Sequence, residues 1–354
     1  MSLTIGAGKM RFSVFGRGYD DTRNDSGDGA IEDYNRYAMG ASSAVFDSTG
    51  QYLWVGIYGN GHTAGLSKFD LEDDFNELAH GVPTGAVETL VLHAPNTNNN
   101  YGLAIQGNDW WVFDLTDDTV IQNGTNATLG SRVSYSSVPY DCVIDGTKFY
   151  IKRVESQNAT TPTVIIFDYS DNSVTVNTIS ANRSGGAFIT KDIIYLYYAT
   201  IWFYQQKYIE GVTPSNVQVW GRLAPEGGSE GFKYVSLAGF GRKGRLYCPN
   251  NVYGSWRIGE YNGLRSPNFD TPKPIKVFGK FESEPTIKGF FHSHEQNYAI
   301  FRTPLGSYVT DYEDCIKISD LDDSVYAVSD KYAVVEMGRI DAGHLNSIGV
   351  FKHR

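Results

Sequence analysis

The sequence predicts an all-β protein arranged as a closed ring of small antiparallel sheets, and three observations carry that prediction. Its 354 residues include 24 Tyr, 19 Phe and 6 Trp but only 4 Met, a bias toward side chains that suit pleated, half-buried surfaces rather than helices. A Phe-Asp pair recurs at the close of strand-like segments, as Lys68-Phe69-Asp70-Leu71, Val112-Phe113-Asp114-Leu115 and Ile166-Phe167-Asp168-Tyr169. The spacings, about 44 and 54 residues, fall in the range of repeating four-stranded units. No Pro-rich, Ser-rich or low-complexity linker interrupts the chain. Residues 1–354 are therefore expected as one domain, a length that all-β rings keep whole.

Each element follows from local pattern and turn chemistry. The alternating stretch Lys9-Met10-Arg11-Phe12-Ser13-Val14-Phe15-Gly16 supplies a strand within residues 1–16, and residues 17–40 are expected as an acidic loop. Repeating units occupy residues 41–354. The first, about 41–78, holds strands at 44–46, 53–57 and 66–69 around the turn Asp47-Ser48-Thr49-Gly50. The second, about 87–120, has strands at 89–92, 102–106 and 110–115, the last two joined by Gly107-Asn108-Asp109. In the third, about 133–179, Asp145-Gly146-Thr147-Lys148 turns between strands at 142–144 and 149–154, and strands at 163–169 and 174–179 flank Ser170-Asp171-Asn172-Ser173.

The fourth unit, about 185–223, carries strands at 187–190, 193–198, 202–208 and 217–220, and the fifth, about 232–277, at 235–239, 245–248 and 256–261. The sixth, about 286–318, has strands at 288–291, 298–302, 307–311 and 315–318. Beyond Asp320-Leu321-Asp322-Asp323 only three strands remain, at 325–328, 332–337 and 348–352. One strand is missing from the last sheet, and the N-terminal strand fits the vacancy. Closure on those terms gives seven units, with six as the other count, and leaves no long unpaired sheet edge. A β-sandwich with long loops does not account for the sustained period.

At the level of motifs, Asp47-Ser48-Thr49-Gly50-Gln51-Tyr52-Leu53-Trp54-Val55-Gly56 resembles the Asp-x-x-Gly-x-x-Leu-Trp-Val-Gly hairpin of β-propeller repeats. The spacing of Gly185-Gly186, Tyr195 and Trp202 is similar to the kelch signature, whereas Gly227-Gly228 lacks the downstream Tyr and Trp. The resemblance implies a β-propeller superfold, with the units as blades.

Composition excludes several classes. The first ten residues lack a charged start and a continuous apolar core, so no secretory signal is read there, and no run of about 18 apolar residues could span a membrane. The sequons at Asn123, Asn126, Asn158 and Asn182 are set aside on the same ground. Cys142, Cys248 and Cys315 are odd in number and far apart, which fits small core residues of a reducing cell rather than a disulfide framework. A net charge of −10 opposes a broad nucleic-acid grip. The basic cluster Arg242-Lys243-Gly244-Arg245 is expected at a solvated hairpin tip.

Three groups of residues could carry chemistry. Asn24, Ser26, Asp28 and Glu32 follow the start of a calcium loop, with oxygen ligands at alternate positions and Gly29 at the sharp turn, although Asn35 stands where a bidentate Glu belongs. Ca²⁺ is the one cofactor the sequence suggests. His292-Ser293-His294-Glu295 places two imidazoles two residues apart at a strand end, with no evident third ligand in sequence. Trp110, Trp111, Trp202 and Tyr204 are candidate binding aromatics, either exposed for stacking on sugar rings or packed at blade interfaces, since adjacent strand residues point to opposite faces. The acidic pairs Asp73-Asp74, Asp117-Asp118 and Asp322-Asp323 all follow strand ends, where they serve turns.

Architecture and loop composition together resemble the propeller-bearing tail hub or nozzle proteins of short-tailed bacteriophages. That resemblance implies a non-enzymatic virion component made in the host cytoplasm, a phage tail or head-tail protein that self-associates and contacts other virion proteins. The alternative is a carbohydrate-binding or glycoside-cleaving propeller with its site at the central axis and a glycan as partner.

Overall fold

In the computed structural model, the described residues are 3–5, 10–14, 35–38, 41–57, 64–73, 76–95, 99–133, 140–153, 163–178, 184–190, 193–199, 207–212, 218–223, 232–234, 239–240, 245–252, 255–262, 275–282, 288–303, 305–319, 326–341 and 344–353. Three strands precede the first full sheet: β1 (Leu3–Ile5), β2 (Met10–Val14) and β3 (Asn35–Ala38). Blade 1 is β4 (Ala41–Phe46), β5 (Tyr52–Ile57), β6 (Gly65–Asp70) and β7 (Asn76–Leu78). Blade 2 is β8 (Leu90–His93), β9 (Tyr101–Gln106), β10 (Asp109–Asp114) and β11 (Val120–Thr125), followed by the one-and-a-half-turn helix α1 (Ala127–Arg132). Blade 3 is β12 (Tyr140–Asp145), β13 (Lys148–Arg153), β14 (Thr163–Asp168) and β15 (Ser173–Thr178).

Blade 4 comprises β16 (Ser184–Thr190), β17 (Ile193–Ala199), β18 (Lys207–Val212) and β19 (Gln218–Leu223). In blade 5 the inner strand is split into β20 (Phe232–Tyr234) and β21 (Gly239–Phe240), and both pair with β22 (Arg245–Val252), which leads to β23 (Ser255–Asn262) and β24 (Lys276–Phe281). Blade 6 is β25 (Lys288–His292), β26 (Ala299–Thr303), β27 (Gly306–Thr310) and β28 (Cys315–Ser319). Blade 7 begins with β29 (Tyr326–Val328), β30 (Tyr332–Asp341) and β31 (His344–His353).

Inner strands touch in order, β4 to β8, β12, β16, β21, β25 and β29, and β29 returns to β4. Among the described residues, the seven sheets thus form a β-propeller. Its last sheet is completed from the start of the chain. Strand β2 pairs antiparallel with β31, with Phe12 opposite His353, Ser13 opposite Lys352 and Val14 opposite Phe351. The seven-fold count and the closing strand read from sequence both hold.

Several local expectations shift. Part of the segment expected as an acidic loop, Asn35–Ala38, is a strand on the same edge of β31, with Asn35 opposite Val350. Blade 2 runs on to Thr125, because Val120–Thr125 pairs with β10. In blade 4 the third described strand is Lys207–Val212, paired with β17 from Ala199 opposite Lys207, and residues 202–206 of the expected strand lie outside the described residues.

The recurring Phe-Asp pair has a physical explanation in blades 1 to 3. Phe69, Phe113 and Phe167 are the penultimate residues of the third strand of each blade and are buried against the preceding blade: Phe69 with Val334 and Val350, Phe113 with Trp54, Phe167 with Trp110. The neighbouring carboxylate starts the next turn. Asp70 accepts from Glu72 N at 2.9 Å, Asp114 from Thr116 N at 2.8 Å and Asp168 from Ser170 N at 3.1 Å, the short-range bond that favours Asp at turns.

A second regularity joins the same blades. The Trp54 indole meets Phe113 edge-on with centroids 4.8 Å apart and donates to the Leu115 carbonyl at 2.7 Å. One blade further on, Trp110 meets Phe167 at 4.9 Å and donates to Asn172 Oδ1 at 3.0 Å. At the ring closure Tyr332 takes this part and donates its hydroxyl to the Leu71 carbonyl at 3.1 Å. Close packing excludes larger neighbours: a Cβ at Gly124 would lie 2.8 Å from the Trp110 ring. Lys68 adds a buried cation between blades 1 and 2, donating to the Thr116 carbonyl and to Asp118 while lying 4.2 Å over the Tyr52 ring.

Candidate functional site

The inner strands surround a central cavity whose space, including the part open to solvent, is about 1220 Å³. Blades 1, 2, 3, 6 and 7 contribute its lining. Apolar walls come from Leu92, Phe290, Phe291 and Val328, and polar groups from Ser42, Ser43, Asp47, His93, Asp141, His292, His294, Glu295 and Asp330.

His93, at the end of β8, and His294, in the turn after β25, stand in blades 2 and 6, which are not neighbours in the ring. Their imidazoles are nonetheless only 6.5 Å apart between centroids and 15° from parallel, so the pair spans the axis. The His93 Nδ1 lies 3.0 Å from the Tyr101 carbonyl. A carbonyl only accepts, so Nδ1 carries the proton and Nε2 is a bare acceptor. That Nε2 is buried without a hydrogen-bond partner, as is Nδ1 of His294. Burial pushes the His93 pKa down to about 4; the Tyr101 carbonyl opposes this and the nearby His294 reinforces it. His292 is lowered as well, first by burial, and its Nδ1 donates to the Ser293 carbonyl at 2.8 Å.

The carboxylates at this end of the cavity differ in their commitments. Asp47 is buried and accepts from Gln51 N at 3.1 Å, Tyr52 N at 3.0 Å, Thr49 Oγ1 at 2.7 Å and, from blade 2, Thr116 Oγ1 at 2.8 Å. Asp330 of blade 7 accepts from Ser293 Oγ and Asn297 Nδ2 of blade 6. Both therefore tie adjacent blades together. Gly50, at φ +69°, completes the Asp47 turn where a Cβ would lie 2.8 Å from Ser329 Cβ.

Of the sequence candidates, His292 and His294 both face this cavity. His93 was missed, because its approach to His294 bridges two hundred residues of sequence and nothing in Leu90-Val91-Leu92-His93 signals it. Trp110 and Trp111 are 1% and 8% exposed and lie in the interfaces toward blades 3 and 1, respectively. Packing consumes both faces, so neither offers a stacking platform. Trp202 and Tyr204 lie outside the described residues, as do Asn24, Ser26, Asp28 and Glu32 of the calcium-like loop. Among the described residues, no three His, Cys, Asp or Glu side chains converge to hold a metal ion. Cys142 and Cys315 are unpaired thiols, their pKa values raised by burial. No helix among the described residues is long and apolar enough to cross a membrane.

The outer rim differs from blade to blade. Strands β7, β19, β24 and β28 each carry a charge, from Glu77, Arg222, Lys276 with Lys280, and Lys317. The rim strands of blades 2 and 3 read Val-Ile-Gln-Asn-Gly-Thr and Ser-Val-Thr-Val-Asn-Thr, six uncharged residues each, and Ile121 there is 42% exposed.

No family model and no curated protein matches the sequence. Solved structures do. The β-propeller domain of Cps50 (Swd1) from Myceliophteria thermophila aligns with TM-score 0.50 at 12% identity over 90% of this chain and 98% of that one. The structure of U3-55K aligns with TM-score 0.47 at 9% identity over 89% and 95%. At such identities the first likeness supports the propeller fold alone, and it carries no resemblance to a phage tail hub.

Proposed function

We propose that this propeller is a non-enzymatic assembly module that acts through protein–protein contacts, as a virion component of a phage tail or head-tail junction. The supporting observation is the pair of uncharged six-residue edges, β11 and β15, on adjacent blades. Open edges present unpaired backbone groups, and charge is the usual device that blocks their pairing. Among the described residues, the outer strands β3, β7, β19, β24 and β28 each carry at least one charge, and the three-residue β1, Leu-Thr-Ile, is the other uncharged one. The virion placement rests on composition and loop character. A carbohydrate-cleaving alternative is weakened by Asp47 and Asp330, whose carboxylates are occupied as hydrogen-bond acceptors at blade junctions.

Sedimentation velocity of the purified chain tests this reading. We expect an oligomer whose mass falls when Ile121→Lys and Thr175→Lys charge the two edges. A monomer at all concentrations, or an oligomer indifferent to both substitutions, would overturn it.

A further inference from the structure

We propose that the central cavity binds an organic cation bearing N–H donors, an alkylammonium or alkylguanidinium head on an apolar stem. This site is independent of the rim contacts above. Among the described residues, its lining holds four carboxylates, Asp47, Asp141, Glu295 and Asp330, and no lysine or arginine. Low-dielectric walls focus that negative field on the axis.

The second observation is an unmet acceptor. His93 lines the cavity, and its Nε2 is buried with its lone pair free because Nδ1 is engaged with the Tyr101 carbonyl. An orphaned buried acceptor is costly, and a ligand that brings a donor recovers that cost. His294 presents a second unpartnered nitrogen on the facing ring. Anions would meet the repulsion of these carboxylates. A quaternary ammonium would satisfy the field and leave the nitrogens unmet. Leu92, Phe290, Phe291 and Val328 provide apolar surface for a short alkyl stem.

The test uses the full chain with n-butylammonium and n-butylguanidinium as probes, followed by calorimetric titration and by the imidazole ¹⁵N resonances of His93. We expect saturable binding and movement of the Nε2 resonance from its bare-acceptor position toward a hydrogen-bonded one. Butyltrimethylammonium and butyrate should bind at least tenfold more weakly. His93→Leu should weaken butylammonium at least tenfold, with His93→Gln, which keeps an acceptor, recovering part of the loss. Thermal unfolding of both variants separates lost binding from lost folding. An N-acetylated, C-amidated Gly-Lys-Gly peptide distinguishes the source: tighter binding than butylammonium marks a partner's side chain, and equal or weaker binding marks a free amine. Butyrate binding as well as the cations, no saturable binding by either cation, or an unchanged affinity in a folded His93→Leu chain would overturn the proposal.

Discussion

The interfaces between blades 1, 2 and 3 and the interface between blades 5 and 6 solve one problem with different chemistry. The first set is latched: an indole reaches across, meets a Phe edge-on and donates its N–H to the next blade's third-to-fourth-strand turn. The 5–6 interface is stacked. Tyr247, Phe290, Phe301 and Tyr308 form a column with successive centroids 4.7, 5.5 and 5.4 Å apart and planes within 12° of parallel. A latch is directional and fixes register through one hydrogen bond, whereas a stack gains from area and ring quadrupoles and tolerates sliding. Equivalent positions in a ring of similar sheets therefore need not share side chains.

The largest expected difference comes from the indoles. Trp54→Ala should cost about 4 kcal/mol through cavity formation, and Trp54→Phe should still cost about 2 kcal/mol because the Leu115 carbonyl loses its donor. In the stack, Phe301→Leu should cost only about 1 kcal/mol, being a near-conservative apolar swap. Urea unfolding of the three variants measures the contrast; equal costs for Trp54→Phe and Phe301→Leu would erase it.

Acidity gives the next effect, in the latched half where His93 sits. Its folded pKa of about 4 lies below the ordinary 6.5, so the unfolded chain binds more protons between those values. Stability is complete above pH 6.5, falls as the pH drops toward 4, and changes no further from this group below that. The span corresponds to roughly 3 kcal/mol. His93→Asn should flatten that part of the stability–pH curve, and His292, lowered in the same direction, accounts for what slope remains.

Breaking the ion pair from either side gives a smaller, asymmetric result. Asp118→Ala leaves the buried Lys68 ammonium with the Thr116 carbonyl and the Tyr52 and Trp54 rings but no carboxylate, and should cost about 2 kcal/mol. Lys68→Met should cost about half as much, since Asp118 turns to solvent. Thermal denaturation of the two single variants ranks them. The smallest effect is Tyr332→Phe, about 1 kcal/mol for the bond to Leu71. Burial, aided by Glu72 and Asp70, raises the Tyr332 pKa to about 12, so its hydroxyl remains a donor throughout the usable pH range and this cost should not vary with pH.

The same contrast explains what could be read from sequence. Blades 1 to 3 announce themselves through Phe-Asp because one residue fills an interface and the next starts a turn, two local demands that leave adjacent marks. In blade 5 the Phe-Asp pair, Phe269-Asp270, lies outside the described residues, and the divided inner strand was not foreseen, since a column of Phe and Tyr can be supplied from many positions. Blade 6 was located almost to the residue by its alternation and by its turns. The cavity was legible only in part. His292 and His294 stood out by their spacing, but His93 meets them only through ring closure, a contact between non-neighbouring blades that carries no local signature.

That closure is the central claim, and a disulfide tests it most directly. Ser13 and Lys352 face each other across the β2–β31 pair, so a chain carrying S13C and K352C, with the three native cysteines replaced by Ala, should cross-link under mild oxidation. Joining the ends through a loop of this length should also raise the unfolding midpoint. The account predicts an intact 13–352 bond in the peptide map and none in an M10C and K352C control, three residues out of register on β2. Failure of the 13–352 pair to form, or equal cross-linking in both chains, would contradict the seventh blade as the place where the ring is sealed.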